Sequence, residues 1–159
     1  MPAEFIMEYE ENRTKTVCVK CTVSPGALLP SYESGGAAGA DVRAFLSEPL
    51  CIPRGSWAAV PTGLCFEIPA GYEMQVRPRS GLAAKYGITV LNAPGTVDSD
   101  YRGEVKILLI NHGNSDFTVS NGDRIAQLVI APVVRAEFTE AQNLSHTQRG
   151  SGGFGSTGL

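Results

Sequence analysis

The sequence lacks both a long apolar run and a marked excess of charge of one sign. No stretch approaches the ~20 consecutive apolar residues of a membrane-spanning helix. The formal net charge is only -3, so no overall attraction draws the chain to nucleic acid or to an anionic membrane. Residues 1–13 contain no apolar run preceded by positive charge, as a secretory leader would. We therefore expect a soluble, cytoplasmic protein that binds neither nucleic acid nor membrane, and any phosphate that it binds must meet a local site.

Cysteine is also scarce, with four residues in the chain. Cys18 and Cys21 have the Cys-x-x-Cys spacing of redox and metal motifs. However, Thr16–Val23 has the composition of a strand, in which residues three apart point to opposite faces, so these two thiols should diverge. Cys51 and Cys65 stand singly in apolar surroundings. We expect all four cysteines to be reduced and to have a structural role.

Turn-forming residues, in contrast, are abundant: 18 glycines and 10 prolines occur among 159 residues, a length that suits one core. From about Thr14 to Val134, short apolar runs alternate with Gly, Pro, Asn and Asp, and no window of helical length has a 3.6-residue period. We interpret as strands Thr16–Val23, Ala40–Leu46, Trp57–Pro61, Gly63–Ile68, Glu73–Arg77, Ile88–Leu91, Val105–Asn111, Phe117–Val119 and Ile125–Val134. This pattern predicts an all-β barrel or sandwich.

One stretch departs from the β pattern. Leu82–Tyr86 follows Ser80 and ends at Gly87, which predicts one or two turns of helix with a serine N-cap and a glycine stop. The apolar runs end after Val134, and the last twenty residues carry only scattered apolar side chains that cannot form a core. We therefore divide the chain into a flexible leader (1–13), a β domain (14–138) and a C-terminal arm (139–159).

An acidic loop lies between two of the predicted strands. The runs Ile88–Leu91 and Val105–Ile110 flank the turn sequence Ala93–Gly95, which predicts a hairpin with a tight loop. An Asp-Ser-Asp sequence is most often a plain turn, because these side chains bond nearby backbone groups. This loop carries more functional side chains than a connection requires, namely Asp98, Asp100, Tyr101, Arg102 and Glu104.

Two further stretches could hold phosphate. Arg79-Ser80-Gly81 precedes the predicted helix, whose N-terminus would favour an anion, although an ordinary serine cap explains Ser80 equally well. The glycine-rich tail after Arg149 has no P-loop lysine and no room for a following helix. A disordered linker remains the alternative there, but Arg149 and Phe154 could supply a phosphate fork and a flat face for a base.

Five segments, in order, resemble the motifs of the dUTP pyrophosphatase (dUTPase) family: Ala38–Arg43, Arg77–Ala83, Asn92–Gly103, Gly122–Leu128 and Arg149–Gly158. The resemblance implies a dUTPase-like, jelly-roll-like β-barrel or sandwich with one short helix and a flexible arm. It implies Mg2+-dependent hydrolysis of dUTP to dUMP and pyrophosphate, which supplies dUMP for thymidylate synthesis and keeps uracil out of DNA. It also implies a homotrimer whose sites are shared between subunits.

The same resemblance implies roles for the acidic loop. Asp98 would be the catalytic carboxylate that orients and deprotonates the water attacking the α-phosphorus. Tyr101 would pack against the deoxyribose and leave no room for a 2'-hydroxyl, and Lys106 matches a further substrate contact of some members. The uracil edge would be paired by Asn92 and by the backbone of Thr96, Val97 and Asp98, which would leave cytosine's amino group unsatisfied.

The remaining motifs would handle the phosphates and the metal. Asp41 would reach Mg2+ through bound water, which suits an ion that keeps several waters and leans on substrate phosphates. Gln127 would contact phosphate, although by pattern alone it is a surface-facing strand residue. Asp123 and Arg124 are interpreted as structural ion-pair partners. The triphosphate would be held by Arg79, Ser80 and Gly81.

The arm would cover the substrate. Arg149 would contact the terminal phosphate, and Phe154 would stack on uracil. The phosphates would be covered by Gly155, Ser156 and Thr157.

Two alternatives share this fold. One is a dCTP deaminase-like enzyme, which would lack a tail such as Arg149–Gly158 and would place a glutamate at the chemical step. The other is a non-catalytic nucleotide-binding module, against which the presence of both Asp98 and Arg149 argues.

Overall fold

The computed structural model describes residues 16–153. The predicted leader, residues 1–13, and residues 154–159 lie outside this range. The described residues form ten strands and one helix, in the order β1 (Lys20–Val23), β2 (Ala40–Arg43), β3 (Leu50–Ile52), β4 (Trp57–Glu67), β5 (Tyr72–Arg77), α1 (Ser80–Tyr86), β6 (Ile88–Val90), β7 (Gly95–Val97), β8 (Glu104–Asn111), β9 (Phe117–Val119) and β10 (Arg124–Pro132).

The strands form two four-stranded antiparallel sheets with the orders β1-β4-β8-β6 and β2-β10-β5-β7, and a small β3-β9 pair. Alternate side chains of both sheets meet in one hydrophobic core, whose fully buried members include Val42, Leu64, Ile107, Leu109 and Ile125. The period-2 alternation of apolar residues produces this arrangement, because every second side chain points to the same face. The prediction of an all-β, jelly-roll-like fold with one short helix is confirmed.

Strand β4 is one continuous strand of 11 residues and not the two strands predicted from the sequence. Pro61 pairs with Lys106 and Cys65 with Glu104, so residues 62–64 of β4 lie opposite Val105 alone. Such extra residues make a bulge, with backbone groups that the ladder cannot pair. Here Thr62 Oγ1 donates to the Val105 carbonyl at 2.6 Å, and the Gly63 N–H donates to the Glu104 carboxylate at 2.8 Å. These side-chain hydrogen bonds let the strand continue through Thr62-Gly63, a sequence that favours a break between two strands.

The N-cap of helix α1 lies one position earlier than predicted. Arg79 occupies the N-cap position with φ -93° and ψ 125°, and no side chain of the described residues caps the helix. The N–H groups of Leu82 and Ala83 both donate to the Arg79 carbonyl, so Ser80 already lies in the first turn and the predicted serine cap is wrong. The predicted glycine stop is confirmed: Gly87 has φ +68° and donates to the Ala83 carbonyl.

The end of α1 packs directly on the turn after β8. A Cβ atom on Gly87 would lie 2.6 Å from the backbone nitrogen of Gly113. A Cβ atom on Gly113 would in turn collide with the carbonyl oxygen of Tyr86. Two glycines are therefore required for this contact, which fixes the helix against the β-sheet.

The predicted hairpin exists, but its loop is not tight. Strands β6 and β8 pair antiparallel, with Val90 opposite Leu109. Between them, β7 crosses to the other sheet and pairs with β5. Strand β7 was not predicted from the sequence, because the strand has only three residues and directly follows Pro94, which is a turn signal. The acidic residues therefore lie on a connection that bridges both sheets.

All four cysteines are free. Cys21 and Cys65 are half-buried, and burial raises the pKa of the Cys21 thiol. Cys18 and Cys51 are exposed, so the structural role expected of all four cysteines stays a prediction for these two.

Strand β10 ends at Pro132, and the chain from there to residue 153 forms no strand or helix. Val134 and Phe138 in this stretch are 93% and 95% exposed. The proposed boundary of the arm at residue 139 stays a prediction. Within residues 16–153 no helix is long and apolar enough to cross a membrane.

Candidate active site

A cleft of about 220 Å³ opens beside β7 and the start of β8. We call it the hairpin cleft. Residues predicted from the sequence as site residues form much of its wall: Asn92, Thr96, Val97, Asp98, Tyr101 and Lys106. Val76, Gly95, Glu104, Val105 and Leu108 complete the lining. The structure thus brings together the hairpin residues that were assigned to the base edge, the sugar and the attacking water.

Gly95 sets the shape of one side of the cleft. Strand β7 lies against β5 with Gly95 opposite Val76. A Cβ on Gly95 would lie 3.1 Å from Val76 Cβ and 3.3 Å from Asn92 Nδ2. The absence of a side chain at Gly95 therefore lets the Asn92 amide fold back against the β7 backbone, where amide and backbone groups can both face a planar ligand.

Asp98 is exposed at the cleft, and its carboxylate has no hydrogen-bond or ion-pair partner within residues 16–153. Its carbonyl accepts a bond from the Tyr101 N–H at 3.2 Å, which closes the turn. Arg102 secures the same turn by donating to the Ser99 and Tyr101 carbonyls at 2.7 and 2.9 Å. A carboxylate held on a fixed turn but free of such partners can bind and deprotonate a water molecule.

Tyr101 forms a wall of the cleft. Its hydroxyl donates to the Glu104 carbonyl at 3.1 Å, and its ring covers Gly103 so closely that a Cβ there would collide with the hydroxyl. The residue is 46% exposed. Its free face is therefore available to a ligand while its edge is fixed.

A second group of site residues surrounds Asp41 on β2, and we call it the Asp41 cluster. Asp41 is 2% exposed. Its Oδ1 accepts bonds from Arg79 Nε at 3.2 Å and Gln127 Nε2 at 3.3 Å, and its Oδ2 accepts from Arg124 Nη1 at 3.2 Å. Asp41 and Gln127 lie directly opposite each other on β2 and β10, which explains their contact. Ser80 and Gly81 are exposed at the start of α1, next in the chain to Arg79.

Arg124 corrects an interpretation made from the sequence. Its ion pairs are with Asp41 and with Glu33, the latter at 3.0 Å, and not with Asp123. Asp123 instead accepts a bond from the Ser120 N–H at 2.8 Å within the turn before β10. Sequence neighbours at the start of a strand point to opposite faces, so Asp123 and Arg124 separate. Arg124 therefore belongs to the candidate site.

The dUTPase family model matches residues 26–158. This chain belongs to the dUTPase family. The deoxyuridine 5'-triphosphate nucleotidohydrolase of Rhizobium meliloti strain 1021 is 64% identical over 135 residues, which cover 84% of this chain and 84% of that protein. The protein of the same name from Sinorhizobium medicae is 60% identical over 143 residues, 89% of each chain.

Solved dUTPase structures share the fold. The dUTPase of Staphylococcus bacteriophage 80alpha with dUpNHpp superposes with a TM-score of 0.79 at 24% identity, covering 91% of this chain and all of that one. A mutant dUTPase of phage phi11 of S. aureus, whose structure describes a structural Mg(II) ion, gives a TM-score of 0.69 at 21% identity, with 80% and 98% coverage.

The Asp41 cluster suits a metal carried by a dUTPase substrate better than a resident metal. Residues 16–153 contain no group of three or more His, Cys, Asp or Glu side chains that could hold an ion. Three of the roughly four acceptor positions of the Asp41 carboxylate are occupied by Arg79, Arg124 and Gln127. One position remains, which allows a water-mediated contact but not chelation. Mg2+ with several waters and phosphate ligands fits this arrangement.

Of the site residues predicted in the arm, Arg149 lies within the described range; it is exposed and donates to the Gly152 carbonyl at 2.8 Å. It lines neither the hairpin cleft nor the Asp41 cluster. Phe154, Gly155, Ser156 and Thr157 lie outside the described residues. Their predicted contacts with the substrate remain predictions.

Sequence reasoning left Glu104 without a role, although it lines the cleft and its carboxylate bonds to Gly63. The partners are 41 positions apart, so no local pattern could have identified the contact. The bulge that creates it depends on the register between β4 and β8, which the sequence alone does not reveal.

Proposed function

We propose how this chain, a dUTP diphosphatase of the dUTPase family, hydrolyses dUTP to dUMP and pyrophosphate. The observation that carries the mechanism is the hairpin cleft, in which the Asp98 carboxylate, unpaired within residues 16–153, lies beside the Tyr101 ring and the Asn92 amide. Selective hydrolysis of one deoxynucleotide requires a general base, a side chain that packs against the sugar, and polar groups that pair with the nucleobase.

Asp98 would bind the attacking water and accept its proton as the oxygen approaches the α-phosphorus. The bond from that phosphorus to the bridging oxygen breaks, and pyrophosphate leaves. Phosphoryl transfer depends mainly on positioning and on neutralising phosphate charge. Arg79 and Arg149 would supply positive charge, Ser80 and Gly81 would supply hydrogen bonds, and Gln127 would add a neutral contact. When bound, Mg2+ would neutralise further phosphate charge, and Asp41 would hold it through water.

Selectivity would come from the shape and the polar edge of the cleft. Asn92 and the backbone of Thr96, Val97 and Asp98 would pair with uracil, and an amino group in place of the uracil carbonyl would leave buried groups unpaired. The Tyr101 ring would exclude a 2'-hydroxyl. Phe154 would stack on the base, while Gly155, Ser156 and Thr157 would close over the phosphates, and Lys106 would add a contact at the rim.

We propose that the enzyme is a homotrimer with sites shared between subunits. Asp41 lies on β2, and Asp98 follows β7; these are opposite edges of one sheet. The two strands are therefore three strand spacings apart, roughly 14 Å. Exposed apolar side chains, including Trp57, Leu91 and Phe138, suit burial between subunits. Each site would combine the phosphate residues of one subunit, the hairpin cleft of a second and the arm of the third.

Shared sites can be tested by mixing two inactive proteins. Asp98→Asn with an intact arm and an arm-deleted chain with intact Asp98 would be unfolded and refolded together. Random mixing gives about three quarters mixed trimers, each with one complete site of three, so roughly a quarter of all sites should be active. Inactivity of confirmed mixed trimers would show that the cleft and the arm of one site come from the same chain.

The four free cysteines, two of them exposed, suit a reducing compartment. We therefore propose a cytoplasmic location.

The activity itself is tested by pyrophosphate release from dUTP, dTTP, dCTP and UTP, with and without Mg2+. We expect release from dUTP alone and its loss when EDTA removes Mg2+. Conversion of dCTP with release of ammonia would instead indicate a deaminase-like enzyme. Tight nucleotide binding without any release would indicate a non-catalytic module.

A further inference from the structure

Glu104 lies in the wall of the hairpin cleft, yet the mechanism assigns it no task. Its carboxylate Oε1 accepts a bond from the Gly63 N–H at 2.8 Å, and Oε2 lies 3.9 Å from Lys106 Nζ. Its backbone carbonyl accepts the hydroxyl bond of Tyr101 at 3.1 Å. Glu104 thus contacts Gly63 in the β4 bulge, the Tyr101 hydroxyl and Lys106 at the rim of the cleft.

The contact with Gly63 is imposed by the bulge. Residues 62–64 face a single residue of β8, which leaves the Gly63 N–H without a ladder partner. Gly63 has φ +69°, and a Cβ there would lie 2.8 Å from both Ala27 and Phe45. The bulge is therefore fixed in place by its packing, and a buried N–H without an acceptor would destabilise it. The Glu104 carboxylate is that acceptor.

We propose that Glu104 is a positioning residue: by bonding to Gly63 it fixes the first residue of β8, and thereby the Tyr101 wall that discriminates deoxyribose from ribose. This inference rests on the proposed function, in which the Tyr101 ring excludes a 2'-hydroxyl.

The coupling passes through two short steps. The Gly63–Glu104 bond ties the first residue of β8 to β4, where Cys65 is its pairing partner. The carbonyl of that residue holds the Tyr101 hydroxyl, with the ring pressed on Gly103. Without the carboxylate, the start of β8 and the ring can shift together. A small outward movement of the ring would admit a 2'-hydroxyl while leaving Asp98 and the phosphate residues in place.

Glu104→Ala and Glu104→Gln separate this role from a general structural one. Glutamine keeps an oxygen for the Gly63 N–H but loses the charge that faces Lys106. We expect Glu104→Ala to lower the ratio of kcat/KM for dUTP over UTP by about tenfold, because a displaced wall no longer rejects the extra hydroxyl. The kcat for dUTP should stay within about threefold of the unmodified enzyme, since the hydrolytic groups are untouched. Glu104→Gln should retain the selectivity.

Glu67→Ala is the matched control. Glu67 is also a β-sheet glutamate with a cross-strand partner, Lys20, but it lies outside the cleft. It should leave the selectivity unchanged. Thermal unfolding of every variant verifies the fold.

Unchanged selectivity in folded Glu104→Ala would overturn the proposal. An equal loss of selectivity in Glu104→Gln would also overturn it, because the effect would then come from the charge opposite Lys106. If Glu104→Ala does not fold, Tyr101→Phe removes the other bond of the same chain of contacts. It should also relax selectivity, and an unchanged ratio there would refute the coupling. Failure of the unmodified protein to release pyrophosphate from dUTP would instead refute the proposed function.

Discussion

Asp98 and Asp41 are two aspartates in opposite states. The Asp98 carboxylate has no partner among residues 16–153, whereas Asp41 is almost fully buried and accepts bonds from two arginines and a glutamine. A buried carboxylate persists only when its charge is compensated and its oxygens are bonded. A general base needs the reverse, because an oxygen already engaged cannot take a proton from water. The fold therefore separates a buried, bonded carboxylate from the unpartnered one that is proposed as the general base.

The largest effect should come from Asp98→Asn. The amide cannot accept the proton of the attacking water, so kcat should fall by about 100-fold or more, because general-base assistance is worth roughly that much. Substrate affinity should stay within a few fold, and the melting temperature should not change, because the Asp98 carboxylate loses no bond within residues 16–153. The checks are pyrophosphate release, binding of a non-hydrolysable dUTP analogue, and thermal unfolding. Strong turnover by this variant would refute the assignment of the base.

Removal of Thr147–Leu159 should lower activity almost as much without affecting the fold. The described part of this segment is largely exposed and contributes nothing to the core. The loss would include Arg149 and the residues proposed to close over the phosphates, and we expect useful activity to be abolished, with a fall of about 100-fold. Circular dichroism and thermal unfolding check the fold. An unfolded truncated protein would show that the segment is structural.

Asp41→Asn should lower the stability of the fold, which Asp98→Asn should leave unchanged. The substitution keeps the shape but leaves Arg79 and Arg124 without their shared negative charge. We expect the free energy of unfolding to fall by about 1–3 kcal/mol, less than for a fully buried pair because both arginines are partly exposed. Urea unfolding measures this, with Asp98→Asn as the matched control. Equal stability of the two variants would mean that the Asp41 cluster does not support the fold.

The smallest effect should come from Glu67→Gln. The hydrogen bond between the exposed Lys20 and Glu67 side chains raises the pKa of Lys20 and lowers the pKa of Glu67. Glu67 thus contributes stability above its unfolded-state pKa and loses it as the pH falls through its lowered pKa. Lys20 contributes below its unfolded-state pKa and loses this as the pH rises through its raised pKa. We expect a barely detectable change in melting temperature at neutral pH and none in strong acid, since exposed ion pairs are solvent-screened. A large change in melting temperature would show that the Lys20–Glu67 pair stabilises the fold more than its solvent exposure indicates.

Local sequence explains most of the hairpin cleft. Asn92, Asp98 and Tyr101 lie within one short stretch, so their proximity follows from the hairpin that the flanking apolar runs predict. The alternation of apolar residues likewise predicts the β class. The Asp41 cluster was less accessible, because Asp41 and Arg124 are 83 positions apart and meet only through the pairing of β2 with β10. Asp41, Arg79 and Gln127 could be named from family motifs, but Arg124 was not, and the contacts of all four depend on strand order.

The glycine contact between Gly87 and Gly113 limits how this enzyme can vary. Neither position tolerates even a methyl group without moving the backbone. Substitutions can accumulate along the exposed side of α1, at Ala84 or Lys85, without moving the helix. A change at either glycine would tilt it, and with it the direction in which Ser80 and Gly81 face. In a library of random variants selected for activity, both positions should therefore return glycine, because the orientation of the proposed phosphate residues would depend on two glycines that have no proposed contact with the substrate.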